Sequence, residues 1–555
     1  MRKLLIPLFL TPLFLFGCGK NKDVYASSKN TIYNFEVEDD KVTITGLNEK
    51  YKSQTDIIIP YSIDKKLVTK IGDNAFNKVT RIKNVDMSKS KLEEIGANAF
   101  ENCSNLTDIN LPTTLTKIDS AAFKNCTGFE EFDLSKYEIE EISDYTFAGC
   151  TKLSEVILPN ICKKIGSYVF NGCTSLTEFD FSNTKVEEIS DYAFYSQENL
   201  LKVTFSNDLK TIGNYAFAEN KKITFINLSK TKLEEMGEGA FYNCRTLLTV
   251  NMPTTLTTIG NKAFYYCSKL DKVDLSKTNV DVIPESCFEL CLGMLQVKLS
   301  NATRIESKAF FNSSIASIEI PENTNYISDD ALVMCKNLAT ITVKEGNTSY
   351  IADKNILYTI NKGTLLVYAA KKTDKDFTSS ASTSKINAYA FANARNLETV
   401  DISASYIHEI EDYTFMNCDK LESITTFENA SEGVKKIGFK AFLGCSALVE
   451  LKDLPALEEI GESAFYDCSN LETIDLKDTK VKTIAEEAFY NCLKVKFISI
   501  PGTENLYIGR SAFYGCSKAE TIKYGANQQS LDDLMTRCKN TGLETYYNQG
   551  KIEIA

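Results

Sequence analysis

Ile95-Gly96-Ala97-Asn98-Ala99-Phe100-Glu101-Asn102-Cys103-Ser104-Asn105-Leu106-Thr107-Asp108-Ile109-Asn110-Leu111-Pro112, followed by Leu115 and Ile118, is the stretch on which the fold turns. Leu106-x-x-Ile109-x-Leu111 ends in a period-two alternation and reads as a short strand. Gly96-x-x-Ala99-Phe100 has i, i+3 character and reads as a short helical or 3-10 turn. Neither piece is long enough to bury its own apolar side, so the fold depends on what recurs beside it.

Recurrence is plain along the chain. A Phe, often preceded by Ala, stands at 76, 100, 123, 147, 170, 194, 217, 241, 264, 288 and 310, then at 391, 415, 442, 465, 489 and 513. Coils of this size bury an apolar face only against their neighbours, so the Leu, Ile and Phe positions must stack into ladders. Each buried Phe contributes roughly 1.5–3 kcal/mol, a large share of the driving force. Strands of successive coils are expected to pair about 4.8 Å apart.

The pattern L-x-x-I-x-L-P…L-x-x-I-G-x-x-A-F-x-x-C resembles the treponemal, or BspA-like, class of bacterial leucine-rich repeat, over roughly residues 42–522. The resemblance implies an α/β-type repeat: a leucine-rich-repeat solenoid with one long parallel β-sheet and short helical or 3-10 turns in each coil. It also implies attachment to host matrix proteins or to other bacteria.

A second period lies on the first. Glu93-Glu94, Glu140-Glu141, Glu187-Glu188 and Glu234-Glu235 recur every 47 residues, as do Ser88, Ser135, Ser182, Ser229 and Ser276. Identical acidic pairs in adjacent coils would sit about 5 Å apart, and alternation moves them to about 10 Å, near the Debye length. Duplication of a two-coil unit is the simpler origin.

The repeats frame the domains. Residues 31–346 form a first repeat block with an N-terminal cap, and 384–522 a second. Between them, 347–383 reads as a β-hairpin island, with strands Tyr350–Ile360 and Gly363–Tyr368 around an Asn361-Lys362-Gly363 turn. Residues 523–555 lack the repeat; Leu531–Met535 suggests a short helix and Lys551–Ile554 a final strand, a cap over the last coil.

At the other end, Arg2 and Lys3 precede an apolar run from Leu4 to Phe16, too short to span a bilayer and suited to a signal peptide covering 1–17. Leu15-Phe16-Gly17-Cys18 resembles a bacterial lipobox, although Phe16 departs from the usual small residue. That resemblance implies acylation of Cys18, a membrane anchor by lipid, and a flexible tether over 18–30. The expected location is the outer membrane or cell surface.

Composition narrows the partners. Lys and Arg total 62 against 74 Asp and Glu, a net charge of −12, which disfavours nucleic acid and anionic lipid. Seventeen Cys in an exported chain would ordinarily suggest disulfides. Here thirteen of them, from Cys103 to Cys516, stand three residues after the ladder position, where other coils carry Asn220, Ser313 or Ala394. Parallel thiols one coil apart have poor geometry for bridging, so they read as buried small groups. Cys162, Cys287 and Cys538 fall outside that column. The single His, His408, and the lack of any C-x-x-C pair speak against a metal centre. No nucleophile elbow or phosphate loop is present, so the chain reads as non-enzymatic and without cofactor.

Binding is expected on the outward side of the strands. With Leu106, Ile109 and Leu111 inward, alternation turns Asp108 and Asn110 outward. The same rule gives Glu131 and Asp133, Glu155 and Ile157, Glu178 and Asp180, then Phe225, and later Phe497 with Ser499. The acidic strip Asp108–Asp180 would steer a basic protein. Ile157, Phe225 and Phe497 put apolar bulk where polar residues are usual. The functional expectation is a surface lipoprotein that binds extracellular or cell-surface proteins; the alternative is a scaffold facing the periplasm with no host ligand.

Overall fold

A computed structural model describes residues 25–426, 433–451 and 454–554. The expected signal peptide and Cys18 lie outside them. Of the expected tether, residues 25–30 fall inside, and there Tyr25–Ala26 pairs in parallel with Ser62–Ile63. The described chain is a parallel-strand solenoid of about 20 turns with little helix. It divides into two compact units, residues up to Gln197 and residues from Glu198.

Each coil of the first unit has two strands where the sequence pattern predicted one. The front strands hold three residues, as in Asn84–Asp86, Asp108–Asn110, Glu131–Asp133 and Glu155–Ile157. The back strands hold two, as in Glu94–Ile95, Lys117–Ile118, Glu141–Ile142 and Lys164–Ile165. The back strand escapes sequence reading because two residues show no alternation. Pairing is also not one continuous sheet but a series of short ones.

The third side of each coil is a run of hydrogen-bonded turns, not the short helical or 3-10 turn expected there. Asn98, Phe100 and Asn102 donate their N–H groups to the carbonyls of Ser120, Ala122 and Lys124 in the next coil. Asn98 and Asn102 have φ of 54° and 63°, which aims alternate amides along the solenoid axis and prevents a helix. Gly96 is required by close approach: a Cβ there would lie 2.4 Å from the Asp73 carboxylate and 2.9 Å from Gly72 backbone.

Inside, the ladder Phe rings stack. Phe76, Phe100, Phe123, Phe147, Phe170 and Phe194 are fully buried in the first unit, with successive centroids 4.9–6.0 Å apart. Tyr33, from the N-terminal hairpin Tyr33–Glu38 and Lys41–Leu47, meets Phe76 edge-on at 6.4 Å and closes that end.

The second unit repeats the plan. Phe-225–Asn227-type front strands make a six-stranded parallel sheet that ends at Thr340–Val343. The island holds three antiparallel strands, Tyr350–Asp353, Ile356–Thr359 and Thr364–Tyr368, where the sequence suggested two. Lys354 and Asn355, with φ of 49° and 63°, turn the chain between Asp353 and Ile356 as a two-residue hairpin without the usual Gly. Tyr368 then lies 4.9 Å from Phe391 and takes the ladder place of a Phe. At the C-terminus, helix Gln528–Arg537 buries Leu531, Leu534 and Met535, and Thr541 accepts the amide of Phe513, the last ladder residue.

Sixteen cysteines are described, all buried and none in a disulfide. The ladder thiols are more than space-fillers: each reaches back to the carbonyl of the ladder Phe one coil earlier. Cys103 lies 3.1 Å from Phe76 O, Cys150 3.2 Å from Phe123 O and Cys468 3.2 Å from Phe442 O. Gln197 makes the same bond to Phe170 O with its side-chain amide. Where a cysteine stands in the column, its thiol adds a second, weak bond to a buried carbonyl that already accepts the backbone N–H three residues on, as Phe100 O does from Cys103 N–H at 3.1 Å.

Candidate functional site

Pairing stops on both strand sides of the first unit at one place. Asp108–Asn110 ends one front sheet and Glu131–Asp133 begins the next; Lys117–Ile118 and Glu141–Ile142 do the same at the back. The turn side stays bonded, with Phe123 N–H donating to Thr146 O at 3.0 Å. The coil at the break carries two extra aromatics, Phe129 and Phe132, in the columns held by Leu106 and Ile109. Their rings lie 5.8 and 5.2 Å from Phe123 and 5.1 Å from each other. Close-packed interiors do not absorb such volume, so the coils separate on the strand sides.

The separation opens a concavity of about 330 Å³. Ile109, Phe129 and Phe132 form its floor, and Asp108, Glu131, Asp133, Glu155, Ile157 and Tyr137 its rim. Five residues singled out from the sequence thus meet at one place. Tyr137 was not among them; its hydroxyl donates to Leu111 O at 3.2 Å. Burial, and then the Asp133 carboxylate, push its phenol above the ordinary range, so it stays a neutral donor.

The other expected residues are more scattered. Asn110 is exposed at the far end of its strand, and Glu178 and Asp180 are exposed on the strand following Glu155–Ile157. Ile109, expected inward, is only half-buried because the concavity reaches it. Phe225 and Phe497 belong to the second unit; Phe225 is 46% exposed, whereas Phe497 is half-buried. Ser499, expected outward, is buried, its small side chain in register between the longer Asp475 and Lys523.

The two strand sides differ in how they arrange charge. At the back, lysines alternate with the acidic pairs: Lys164 lies in register between Glu141 and Glu188, 3.2 Å from the latter. Lys163 reaches Glu140 at 2.9 Å. At the front, Glu131 is directly in register with Glu155 and Asp133 with Ile157, with no lysine between. Like charges facing across a strand pair cost stability. The front acids are therefore a feature the fold tolerates and does not need.

Among the described residues, no group of three or more His, Cys, Asp or Glu is placed to hold a metal ion, and no helix is long and apolar enough to cross a membrane.

Comparison with known proteins gives one family. The model of the BspA-type leucine-rich repeat region matches in six copies, over residues 50–160, 140–271, 257–362, 367–434 and 427–541. Similar solved structures include a leucine-rich repeat protein from Bacteroides ovatus, 20% identical, covering 94% of this chain and 97% of that one, with a TM-score of 0.35. One from Eubacterium ventriosum is 23% identical over 62% of this chain and 85% of its own, with a TM-score of 0.40. No curated protein matches.

Proposed function

The chain belongs to the BspA-type leucine-rich repeat family, and on that premise we propose that it is a non-enzymatic, surface-displayed lipoprotein that captures a basic segment of another protein in the Asp108–Ile157 concavity. Repeat solenoids serve widely as extended protein-binding surfaces. The observation that carries the reading is the contrast between the two strand sides. Lysines interleave the acids at the back, but Glu131 and Glu155 stack without one at the front. A Lys or Arg side chain suits the vacancy: its stem lies on Ile109 and Phe132, and its charged head meets the rim carboxylates. Such capture is fast and falls with salt.

Attachment to host matrix proteins or to other cells, and anchoring through an acylated Cys18, belong to the same proposal. Protease shaving of intact cells, with a periplasmic protein as control, tests its location. Cleavage of the repeats is the expected result. Repeats protected in intact cells and cut only after lysis would place the chain inside the envelope and remove the host ligand.

A further inference from the structure

A second surface, in the second unit, has the opposite character. Leu201, Phe225, Leu248 and Leu295 are 50, 46, 46 and 48% exposed. Backbone bonds set four of the coils in order: Leu248 N–H donates to Thr224 O, Asp271 N–H to Leu248 O, and Leu295 N–H to Asp271 O. Leu201, Leu248 and Leu295 recur every 47 residues, at the residue just before each front strand. Large apolar side chains aligned at that exposure mark an interaction surface. Basic residues surround them: Lys202, Lys221, Lys222, Arg245, Lys269, Lys272 and Lys298 are all exposed, against Glu198, Asp271 and Asp274, the last 3.7 Å from Lys298.

We propose that this surface binds the acidic front side of a second copy of the chain, Asp108 to Asp180. Charge complementarity points to that occupant. The acidic side offers Asp108, Glu131, Asp133, Glu155 and Asp180, with Ile157 as an exposed apolar centre at 44%. Each surface also contains a pair of three-residue parallel strands, Glu131–Asp133 with Glu155–Ile157 on one and Thr249–Asn251 with Lys272–Asp274 on the other, so within these pairs side chains recur at about 4.8 Å on both. The contact joins two different surfaces, so a bound pair keeps one of each open unless a ring closes. Four or five coils span roughly 15–20 Å, which places a single contact in the weak class, below the area of a standard stable interface. The proposal uses the acidic side named under the proposed function but does not require a basic foreign ligand.

Sedimentation velocity on the purified full chain tests it, at 50 and 300 mM NaCl over a concentration series, with two variants. One carries Glu131→Lys, Asp133→Lys and Glu155→Lys; the other carries Leu201→Ser, Phe225→Ser and Leu248→Ser. The expected results are concentration-dependent growth of the unaltered chain at low salt, loss of it at high salt, and monomers for each variant alone. A mixture of the two variants restores dimers and stops there, because each retains one working surface. A monomeric unaltered chain at all concentrations overturns the proposal, as does assembly that survives in either variant. Thermal melts confirm that both variants are folded. Should the chain stay monomeric yet bind basic peptide, this inference fails and the proposed function stands.

Discussion

The thiol of Cys126 lies 3.1 Å from the carbonyl oxygen of Phe100 in the preceding coil. Every ladder cysteine described repeats that relationship with the ladder residue before it, so the column is a line of small donors rather than of inert fillers. Cys126→Ser keeps a donor there, whereas Cys126→Ala leaves the buried Phe100 carbonyl with only the Cys103 N–H, 3.1 Å away, and opens a small void. The alanine variant should lose about 1–2 kcal/mol and the serine variant less. Urea midpoints of the two against the parent decide it; equal losses would reduce the thiol to volume alone.

Burial pushes the thiols of Cys103, Cys150, Cys244, Cys335 and Cys418 up to about 12. In the unfolded chain they ionise near 8.5. A raised folded value means that their contribution is complete below that pH and lost as pH rises toward 12. Stability should therefore hold from pH 7 to 8 and fall steadily above pH 9. The same burial predicts that a thiol reagent labels these positions in the native chain only after unfolding.

Phe465 is fully buried, with its ring 4.9 Å from Phe442 and 5.1 Å from Phe489. Phe465→Ala removes the middle ring of that stack and should cost about 3–5 kcal/mol. Because coils contact only their neighbours, hydrogen exchange should rise first around residues 442–489. A uniform rise along the chain would show that the solenoid melts as one body.

Lys164 stands between Glu141 and Glu188. Lys164→Glu would align three carboxylates at one-coil spacing and should lower stability by up to about 1 kcal/mol at low salt. Raising the salt to 0.5 M should recover most of the loss. A loss that salt leaves unchanged would mean that packing, not charge, sets the residue at this position.

The ladder was legible in the sequence because one side chain, Phe, is placed by a single physical demand in coil after coil. The back strands were not, since a two-residue strand such as Glu141–Ile142 has no period. Nor was the role of Lys164: the Glu pairs were visible every 47 residues, but the lysine between them is set by register across coils. The candidate site was half legible. Alternation found Asp108, Glu131, Asp133, Glu155 and Ile157, while the concavity that gathers them follows from Phe129 and Phe132 widening one coil. Phe132 shares its column with Phe179 and Phe377, so the signal in plain view was its pairing with Phe129 in one coil. Leu201, Leu248 and Leu295 were equally visible as the second member of each apolar pair, but only exposure distinguishes them from core.

The most direct test of the proposed function is fluorescence anisotropy of a labelled arginine- and lysine-rich peptide titrated with the purified chain at 50 mM and 300 mM NaCl. Two variants of equal charge accompany it: Glu131→Gln, Asp133→Asn and Glu155→Gln at the concavity, and Glu93→Gln, Glu140→Gln and Glu141→Gln at the back. The account predicts that the concavity variant loses at least tenfold in affinity, that the back variant binds like the parent, and that salt weakens what remains. Equal binding by the two variants would contradict it, leaving only diffuse attraction to an acidic protein.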